Sequence, residues 1–376
     1  MSVLTGLDVL AAEDCASVAG PRVGLITNHT AITVDRRHII DVLSDSGVNL
    51  AALFGPEHGI RGDHDETFKV ASSTDEATGL PIHSLFSSVQ RPTPEMLEGI
   101  ELLVFDIADV GVRYYTYTTT MTYCMEEAAR AGIPFVVLDR PNPITASRVE
   151  GPLLNPPFRK LSAYHEVPTR HGMTAGELAQ FSNAEYEIGC DLRVVRCEGW
   201  RRDQWFDETG LPWVDPSPNL RNLNQVTLYP VICGFEASEM AVGRGTDSPF
   251  EIFGAPYIDA RDLAGRLNAL EDTHLRFVPI EFTPASHRFA DERCAGCFVF
   301  TTDRERLRPV EANVRIACEL SALYSDDFEV RRSEWLVGGH EVADAIHDGV
   351  PAGGVISAWQ PALEQYMHRR ADYLLY

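Results

Sequence analysis

The first two hundred residues alternate short apolar runs with amphipathic stretches. Apolar runs of about five residues predict buried β-strands, and apolar residues at helical spacing between those runs predict helices. The predicted strands cover residues 23–27, 50–54, 102–106, 135–139 and 192–196. Strands that alternate with helices are typical of βαβ units, so the pattern predicts a parallel sheet.

Three helices are marked by their ends. Residues 35–46 carry apolar side chains at helical spacing, and Gly47 follows them as a residue that commonly ends a helix. Residues 120–131 show the same pattern and stop before Gly132. A further helix is predicted to begin at Thr174, where Thr-Ala-Gly-Glu has the spacing of a capping box.

Periodicity is lost over residues 200–218, a segment rich in Trp, Asp, Gly and Pro, and this loss predicts a domain boundary. The later part of the chain predicts strands at 277–282 and 297–301 and helices at 260–270 and 310–324. The predicted fold class is therefore α/β, with a Rossmann-like N-terminal domain (1–210) built on a parallel sheet. A smaller α+β C-terminal domain (211–376) would close a cleft against it.

Length and charge agree with this organisation and exclude some partners. A chain of 376 residues is too long for one ordinary core, which favours two domains. The 55 acidic and 32 basic residues give a formal charge of −23. Such a charge repels nucleic acid and anionic lipid, and no basic stripe offsets it, so neither nucleic acid nor membrane is a predicted partner.

The N-terminus and the cysteines bear on location and metal binding. The first residues lack a basic region and include Asp8 and Glu13, which makes a poor signal peptide. Without an export signal, the eight cysteines are predicted to be reduced thiols in a cytoplasmic protein. Cys294 and Cys297 form a lone CxxC, for which a structural role is favoured over zinc binding. No metal or organic cofactor is predicted.

Polar residues collect where the predicted strands end. Ligands of an open parallel sheet lie beyond the carboxyl ends of its strands, so these positions are candidates for a site. A cap or a turn is the simpler interpretation of any one Asn or Asp there, but the set as a whole favours a site. The candidates after the first four strands are Asn28, Glu57, His58, Arg61, Asp106, Asp109, Arg113, Asp139, Arg140 and Asn142.

Glu57 is the candidate catalytic acid. It precedes His58 in a loop between rigid Pro56 and permissive Gly59, which is more shaped than a cap requires. Cleavage of a glycosidic bond needs a proton delivered to the leaving oxygen, and a partly buried carboxyl group can hold that proton.

Asp106 and Asp109 are candidates for the second carboxylate of such a reaction. That group would stabilise an oxocarbenium ion, activate water or orient an acetamido group. For Asp106 a capping role is equally favoured, and Arg113 could pair with Asp109 across a turn. The aromatic run that ends at Tyr117 could stack on a sugar, although such aromatics are more often part of a core.

Motifs for other chemistries are missing from the sequence. No Gly-x-Gly-x-x-Gly follows the first strand, and there is no Walker lysine to hold phosphates. Neither Gly-x-Ser-x-Gly nor His-Glu-x-x-His occurs. Hydride transfer, phosphoryl transfer and serine hydrolysis are therefore not the first choices.

Long motifs in register resemble the NamZ family of exo-acting β-N-acetylmuramidases. They run in order from about residue 20 to about residue 300. The matching segments are LITNHT at 25–30, FGPEHGIRG at 54–62, VFDIADVGVRYYTY at 104–117, LDRPNP at 138–143, HGMT at 171–174, PSPN at 216–219, GRGT at 243–246 and PFEIFGAP at 249–256.

The resemblance implies an activity and a set of site residues. The implied reaction is hydrolysis that releases N-acetylmuramic acid from the non-reducing end of peptidoglycan-derived saccharides, within bacterial cell-wall recycling. The family's Pro-Glu-His-Gly glutamate, proposed as catalytic, falls on Glu57. The predicted substrate-binding residues are Asn28, His58, Arg61, Arg113, Tyr117, Asp139, Arg140, Asn142, Glu236, Arg244 and Glu251.

N-acetylmuramic acid carries a lactyl carboxylate, which an acidic protein should hold through a local guanidinium group. Arg61 and Arg244 are the preferred candidates, because pairing with an aspartate is favoured for Arg113 and Arg140. The alternative function is a non-catalytic protein that binds a muropeptide or amino sugar. It is favoured by Val242, which stands where the family usually has a glutamate.

Overall fold

The computed structural model describes residues 3–61, 73–86 and 88–376, so Gly62, which ends the FGPEHGIRG motif, lies outside the described residues. The strands are β1 Val23–Thr27, β2 Leu50–Gly55, β3 Ser73–Thr74, β4 Pro81–Ser84, β5 Leu102–Asp106, β6 Phe135–Leu138, β7 Glu150–Leu153, β8 Pro168–Arg170, β9 Leu192–Val195, β10 Ile252–Ala255, β11 Leu275–Phe282 and β12 Cys294–Thr301.

The helices are α1 Gly6–Ala12, α2 Ile39–Asp45, α3 Thr116–Ala131, α4 Ala175–Glu185, α5 Leu223–Ile232, α6 Ala260–Ala269, α7 Pro309–Leu323, α8 Glu334–Val337, α9 His340–His347, α10 Ala352–Ala358 and α11 Gln360–Ala371. Within the described ranges, none of them combines the length and the apolar character needed to cross a bilayer.

The N-terminal sheet has seven described strands in the order β3-β4-β2-β1-β5-β6-β9. All neighbours pair in parallel except β3 and β4. The chain runs outward from β1 to β2 and then returns to the other side of β1 with β5. Ligands bind at such a reversal in open α/β sheets. Thr27 pairs with Asp106 there, at the carboxyl edge of the sheet.

Local signals set the helix ends. Thr174 caps α4, and the reciprocal bonds of the predicted capping box with Glu177 are both present. Gly132 ends α3 in the left-handed conformation. However, α3 begins at Thr116, four residues before the predicted start, because its first turn is a run of buried threonines rather than an apolar stripe. Helix α2 begins at Ile39 rather than at residue 35, since the His38 side chain caps it.

The second half contains a smaller antiparallel sheet in the order β10-β12-β11, on which α6 packs. Helices α7 to α11 follow it in sequence. The predicted class, a mixed α/β fold with a mainly parallel sheet and a smaller C-terminal part, is confirmed. The domain boundary at residue 210 stays a prediction.

The end of the chain returns to the N-terminal half. Tyr366 of α11 is fully buried in a cluster with Val167, Met173 and Phe181. Tyr376 packs with Val3 and Trp200 in a second small cluster. The chain therefore passes between the two halves more than once, which couples their packing.

Candidate active site

A cavity of about 240 Å³ lies between the N-terminal sheet and the second half of the chain. Among the cavities lined by described residues, this one has Glu57 in its wall. Its lining comprises Glu57, His58, Tyr114, Tyr115, Thr116, Ser162, Ser217, Leu220, Tyr229, Cys233, Glu236, Arg244, Phe250, Trp335 and Leu336. Of the predicted site residues, the structure brings Glu57, His58, Glu236 and Arg244 together here.

Glu57 reaches the cavity from a tight turn after β2. The Gly59 N–H donates to the Pro56 carbonyl at 3.0 Å, and His58 has a positive φ of 67°. Ile60 is buried in the core beneath the turn, so the loop is anchored on both sides of the glutamate. The Thr116 hydroxyl, in the first turn of α3, donates to Glu57 Oε2 at 2.5 Å. The carboxylate thus lies at a helix N-terminus, which favours negative charge.

Tyr115 and Tyr117, after β5, support a loop through their hydroxyl groups. Tyr115 and Tyr117 are buried, with ring centroids 4.7 Å apart in an edge-on arrangement. Their hydroxyls both donate to the Pro216 carbonyl, at 2.6 and 3.0 Å. Burial raises the pKa of both tyrosines, and the nearby Glu57 carboxylate raises it further. They therefore stay neutral donors that fix the loop carrying Ser217.

Arg244 and Glu236 form an ion pair in the cavity, with Arg244 Nε 2.5 Å from Glu236 Oε1. The glycines on either side of Arg244 make its tight loop possible. A Cβ on Gly243, where φ is +82°, would lie 2.5 Å from the Ser248 carbonyl oxygen. The Cys233 thiol donates to Glu236 Oε2 at 3.3 Å. Glu57 and Glu236 are thus the two carboxylates among the described residues that line the cavity.

Asp106 and Arg140 lie outside this cavity. Asp106 is fully buried, and Arg140 holds it through both Nε and Nη2, the latter at 2.9 Å from Oδ2. The pairing favoured for Arg140 is therefore confirmed. Since a carboxylate held this way has both oxygens engaged, Asp106 is placed to organise the sheet edge rather than to face a sugar.

Asp109 and Arg113 do not pair with each other. Asp109 lies against a separate small apolar cavity, 3.5 Å from the buried His171 ring. Arg113 is buried and donates to the carbonyls of Pro152, Val167 and Leu336, at 2.7, 2.9 and 3.1 Å. Burial lowers its pKa to about 10. The pairing suggested from sequence is therefore wrong, because backbone carbonyls from three segments occupy the guanidinium group.

The remaining predicted binding residues also lie outside the lining of the Glu57 cavity. Arg61 pairs with Asp75 at 2.6 Å. The Asn28 side chain accepts from Thr30, Asn142 donates to the Met173 carbonyl, and the Glu251 carboxylate accepts from Asn224 and Gln225. Asp139 is fully buried and accepts from Thr174, Gly176 and Tyr376.

Sequence reasoning missed Trp335, Cys233 and Ser162, which also line the cavity. Among the described lining residues, Trp335 is the aromatic side chain that is not buried. The Lys160 ammonium lies 3.5 Å from the centre of its ring. No sequence signal pointed to Trp335, because it lies in a short helix of the second half, far along the chain from Glu57.

Val242 does not face the cavity. It is buried in the main hydrophobic core and is not among the described residues that line the cavity. Within the described part of the chain, no group of three or more His, Cys, Asp or Glu side chains could hold a metal ion.

The fold and the cavity define a class: two-part α/β proteins with an acidic pocket where a parallel sheet meets a smaller C-terminal part. The model for the N-terminal part of exo-β-N-acetylmuramidase NamZ matches residues 23–224, and the model for its C-terminal part matches residues 227–376. The chain belongs to the NamZ family.

Known relatives match over the whole of this chain. The peptidoglycan β-N-acetylmuramidase NamZ of Bacillus subtilis (strain 168) is 39% identical, with 100% of this chain and 91% of that protein covered. Crystal structures of two DUF1343 family proteins from Bacteroides fragilis NCTC 9343 are similar. One has a TM-score of 0.92 at 34% identity and the other 0.84 at 29%, each covering 100% of this chain and 99% of its own.

Proposed function

We propose that this protein is a glycoside hydrolase that removes a terminal N-acetylmuramic acid from peptidoglycan-derived saccharides. The name of its Bacillus subtilis relative and its family membership support the reaction and the substrate class. The single observation that carries the proposal is Glu57, which faces a cavity of about 240 Å³ from an anchored turn.

Glu57 supplies the proton for the leaving oxygen in this proposal. A general acid has to be held in one orientation, and the Thr116 hydroxyl at 2.5 Å and the turn at Gly59 do so. The second carboxylate is Glu236, which lines the same cavity as Glu57, whereas Asp106 is fully buried outside that lining and Asp109 lies against another cavity. Glu236 would act on the anomeric side or orient the acetamido group.

Arg244 and Trp335 bind the sugar. The Arg244 guanidinium can hold the lactyl carboxylate through parallel hydrogen bonds while Glu236 stays beside it. The partly exposed Trp335 ring offers an apolar face to the sugar carbons. We infer that the enzyme acts in cell-wall recycling in the cytoplasm. The eight free thiols support the cytoplasmic location, because that compartment keeps cysteines reduced.

The test is hydrolysis of a chromogenic β-N-acetylmuramide by the wild type and by Glu57→Gln. The variant keeps the size and hydrogen bonding of the side chain but carries no proton to deliver, so turnover should fall by about 10² to 10⁴ with the fold intact. Asp109→Asn is the matched control, a carboxylate outside the cavity whose loss should matter far less. Near-normal turnover of Glu57→Gln would remove Glu57 from the reaction, and an inactive wild type that still binds the sugar would support a binding protein.

A further inference from the structure

Phe250 has a backbone conformation that bulky side chains avoid. Its φ is 59°, in the left-handed region, where a large residue is a rare outlier. Among the described residues other than glycine, a positive φ coincides with a buried side chain at Cys15, His58, Thr145 and Phe250. Two of these, His58 and Phe250, line the Glu57 cavity. Backbone strain persists only where the surrounding structure imposes it, and it is concentrated at functional sites.

Phe250 closes the loop that carries Arg244. Its N–H donates to the Val242 carbonyl at 2.9 Å, which joins the two ends of the loop at 243–249. Strand β10 begins two residues later, at Ile252. The left-handed conformation therefore lies at the base of the loop, where the chain turns into the strand.

The Phe250 side chain lies against the Arg244 guanidinium. Arg244 Cζ lies over the ring, 5.0 Å from its centre, within the range of a cation–π contact. The Phe250 side chain is fully buried and that of Arg244 is 11% exposed, so little water screens the contact. The Tyr229 ring packs against Phe250 in a T-shaped arrangement, with centroids 4.8 Å apart. The aromatic face is therefore fixed by its own neighbour.

Two kinds of contact thus act on the Arg244 guanidinium. The Glu236 carboxylate, 2.5 Å from Nε, balances its charge. The Phe250 ring offers a flat surface, and a planar guanidinium group stacks on such a surface in a defined orientation. Since a carboxylate is bound through two parallel hydrogen bonds only when the guanidinium plane is correctly set, the ring contributes a function that the ion pair alone does not.

We propose that Phe250 is a positioning residue, which sets the Arg244 guanidinium for the lactyl carboxylate of N-acetylmuramic acid. This inference rests on the proposed function, in which Arg244 binds that carboxylate. The strained φ at Phe250 is the consequence of bringing an aromatic face to the arginine from the base of its own loop.

Calorimetric titration with two sugars tests the role of the ring. Phe250→Leu keeps an apolar side chain in the core and removes the aromatic face. N-acetylmuramic acid should then bind about tenfold more weakly, whereas N-acetylglucosamine, which lacks the carboxylate, should change by no more than about twofold. Phe253→Leu is the matched control, because that phenylalanine of β10 is also fully buried but lies outside the cavity lining. Its preference between the two sugars should stay at the wild-type value.

A double substitution separates positioning from a general structural role. In the Arg244→Met background, adding Phe250→Leu should weaken the binding of N-acetylmuramic acid no further, because the guanidinium that the ring orients is already gone. Losses that add in full, or equal weakening of both sugars by Phe250→Leu, would overturn the proposal. Thermal melting checks the fold of each variant, and Phe250→Met, which also lacks a ring, replaces a leucine variant that does not fold.

Hydrolysis of the chromogenic β-N-acetylmuramide gives a separate measurement. Phe250→Leu should raise KM about tenfold and leave kcat nearly unchanged, since the arginine acts on binding. A wild type that does not cleave this substrate would overturn the proposed function, while the calorimetry, which needs no cleavage, would still decide the role of Phe250. A wild type that binds the two sugars equally would overturn the role of Arg244 and the inference on Phe250 with it.

Discussion

The contact between Thr116 and Glu57 should hold the catalytic acid in its orientation. The Thr116 hydroxyl donates to Glu57 Oε2 at 2.5 Å, and a general acid loses efficiency when its position is not fixed. Thr116→Val removes the donor and keeps the shape, so kcat/KM for the chromogenic substrate should fall by about tenfold.

Thr120→Val serves as the control for this loss. Thr120 lies one turn further along the same helix, and its hydroxyl donates to the Thr116 carbonyl instead of to Glu57. A kcat/KM that does not fall in Thr116→Val, or that falls equally in Thr120→Val, would show that the Thr116 hydroxyl does not orient the acid.

Arg244 should distinguish a lactyl sugar from one without the carboxylate. Arg244→Met should weaken the binding of N-acetylmuramic acid by about 1.5–3 kcal/mol and that of N-acetylglucosamine much less. Because the single change leaves Glu236 unpaired, Arg244→Met with Glu236→Gln tests the loss of the guanidinium without a leftover charge.

Calorimetric titration of both sugars measures this preference. Arg61→Met is the matched control, since the Arg61 guanidinium pairs with Asp75 outside the cavity and its side chain is 57% exposed. Equal weakening of the two sugars by the Arg244 variants would refute selection through the lactyl group.

The sequence could suggest single site residues but not how they group in space. Glu57 stood out because its neighbours shape a loop, and the structure puts it in the cavity. Asp106 was a candidate for which a capping role was equally favoured, and Arg140, from the end of another strand, pairs with its carboxylate. Trp335 gave no signal at all. Charged side chains pair according to their distances across the sheet. The order of residues along the sequence does not give these distances.

At the scale of elements, apolar periodicity predicted the strands of the parallel sheet to within a residue or two at their ends. Apolar periodicity did not predict elements that are very short or that are buried through polar side chains. The short strands β3 and β4 and the hairpin of β7 and β8 have too few residues to show a period. The early start of α3 was hidden because buried threonines, which bond to helix carbonyls, replace an apolar stripe.

Helix α11 contributes to stability through Tyr366. The ring is fully buried, and the hydroxyl donates to the His171 carbonyl at 2.9 Å. Tyr366→Ala should lower the free energy of unfolding by about 3–5 kcal/mol, and Tyr366→Phe by about 1–2 kcal/mol for the lost hydrogen bond.

Denaturant unfolding of both variants checks the packing of α11. The next residue, Met367, is 37% exposed, so Met367→Ala is a control that should change stability by less than about 0.5 kcal/mol. If Tyr366→Ala cost no more than Met367→Ala, the helix would not be docked on the N-terminal half as described.

At the scale of the whole molecule, Tyr376 links stability to pH through Asp139. Burial raises the pKa of Asp139 from 3.8 to about 6, and hydrogen bonds from Thr174, Gly176 and Tyr376 hold it from rising further. Because the pKa of Asp139 is higher in the folded state than in the unfolded state, the contribution of this group to stability is fully present below about pH 4. That contribution is lost as the pH rises through about 6. Tyr376→Phe raises that pKa again, so its cost should be about 1 kcal/mol larger at pH 7.5 than at pH 5.

Unfolding of the wild type and Tyr376→Phe at both pH values measures the difference. Tyr373→Phe is the control, because the Tyr373 hydroxyl donates to Glu185, away from Asp139, at 2.9 Å. A cost that does not depend on pH would separate the Tyr376 hydroxyl from the titration of Asp139.

The cluster of Val3, Trp200 and Tyr376 joins segments that lie far apart in the sequence. Contacts of long sequence separation cost more loop-closure entropy than local ones, so this cluster should form late in folding. Its loss should then speed unfolding more than it slows folding, which makes the cluster a determinant of the lifetime of the folded state.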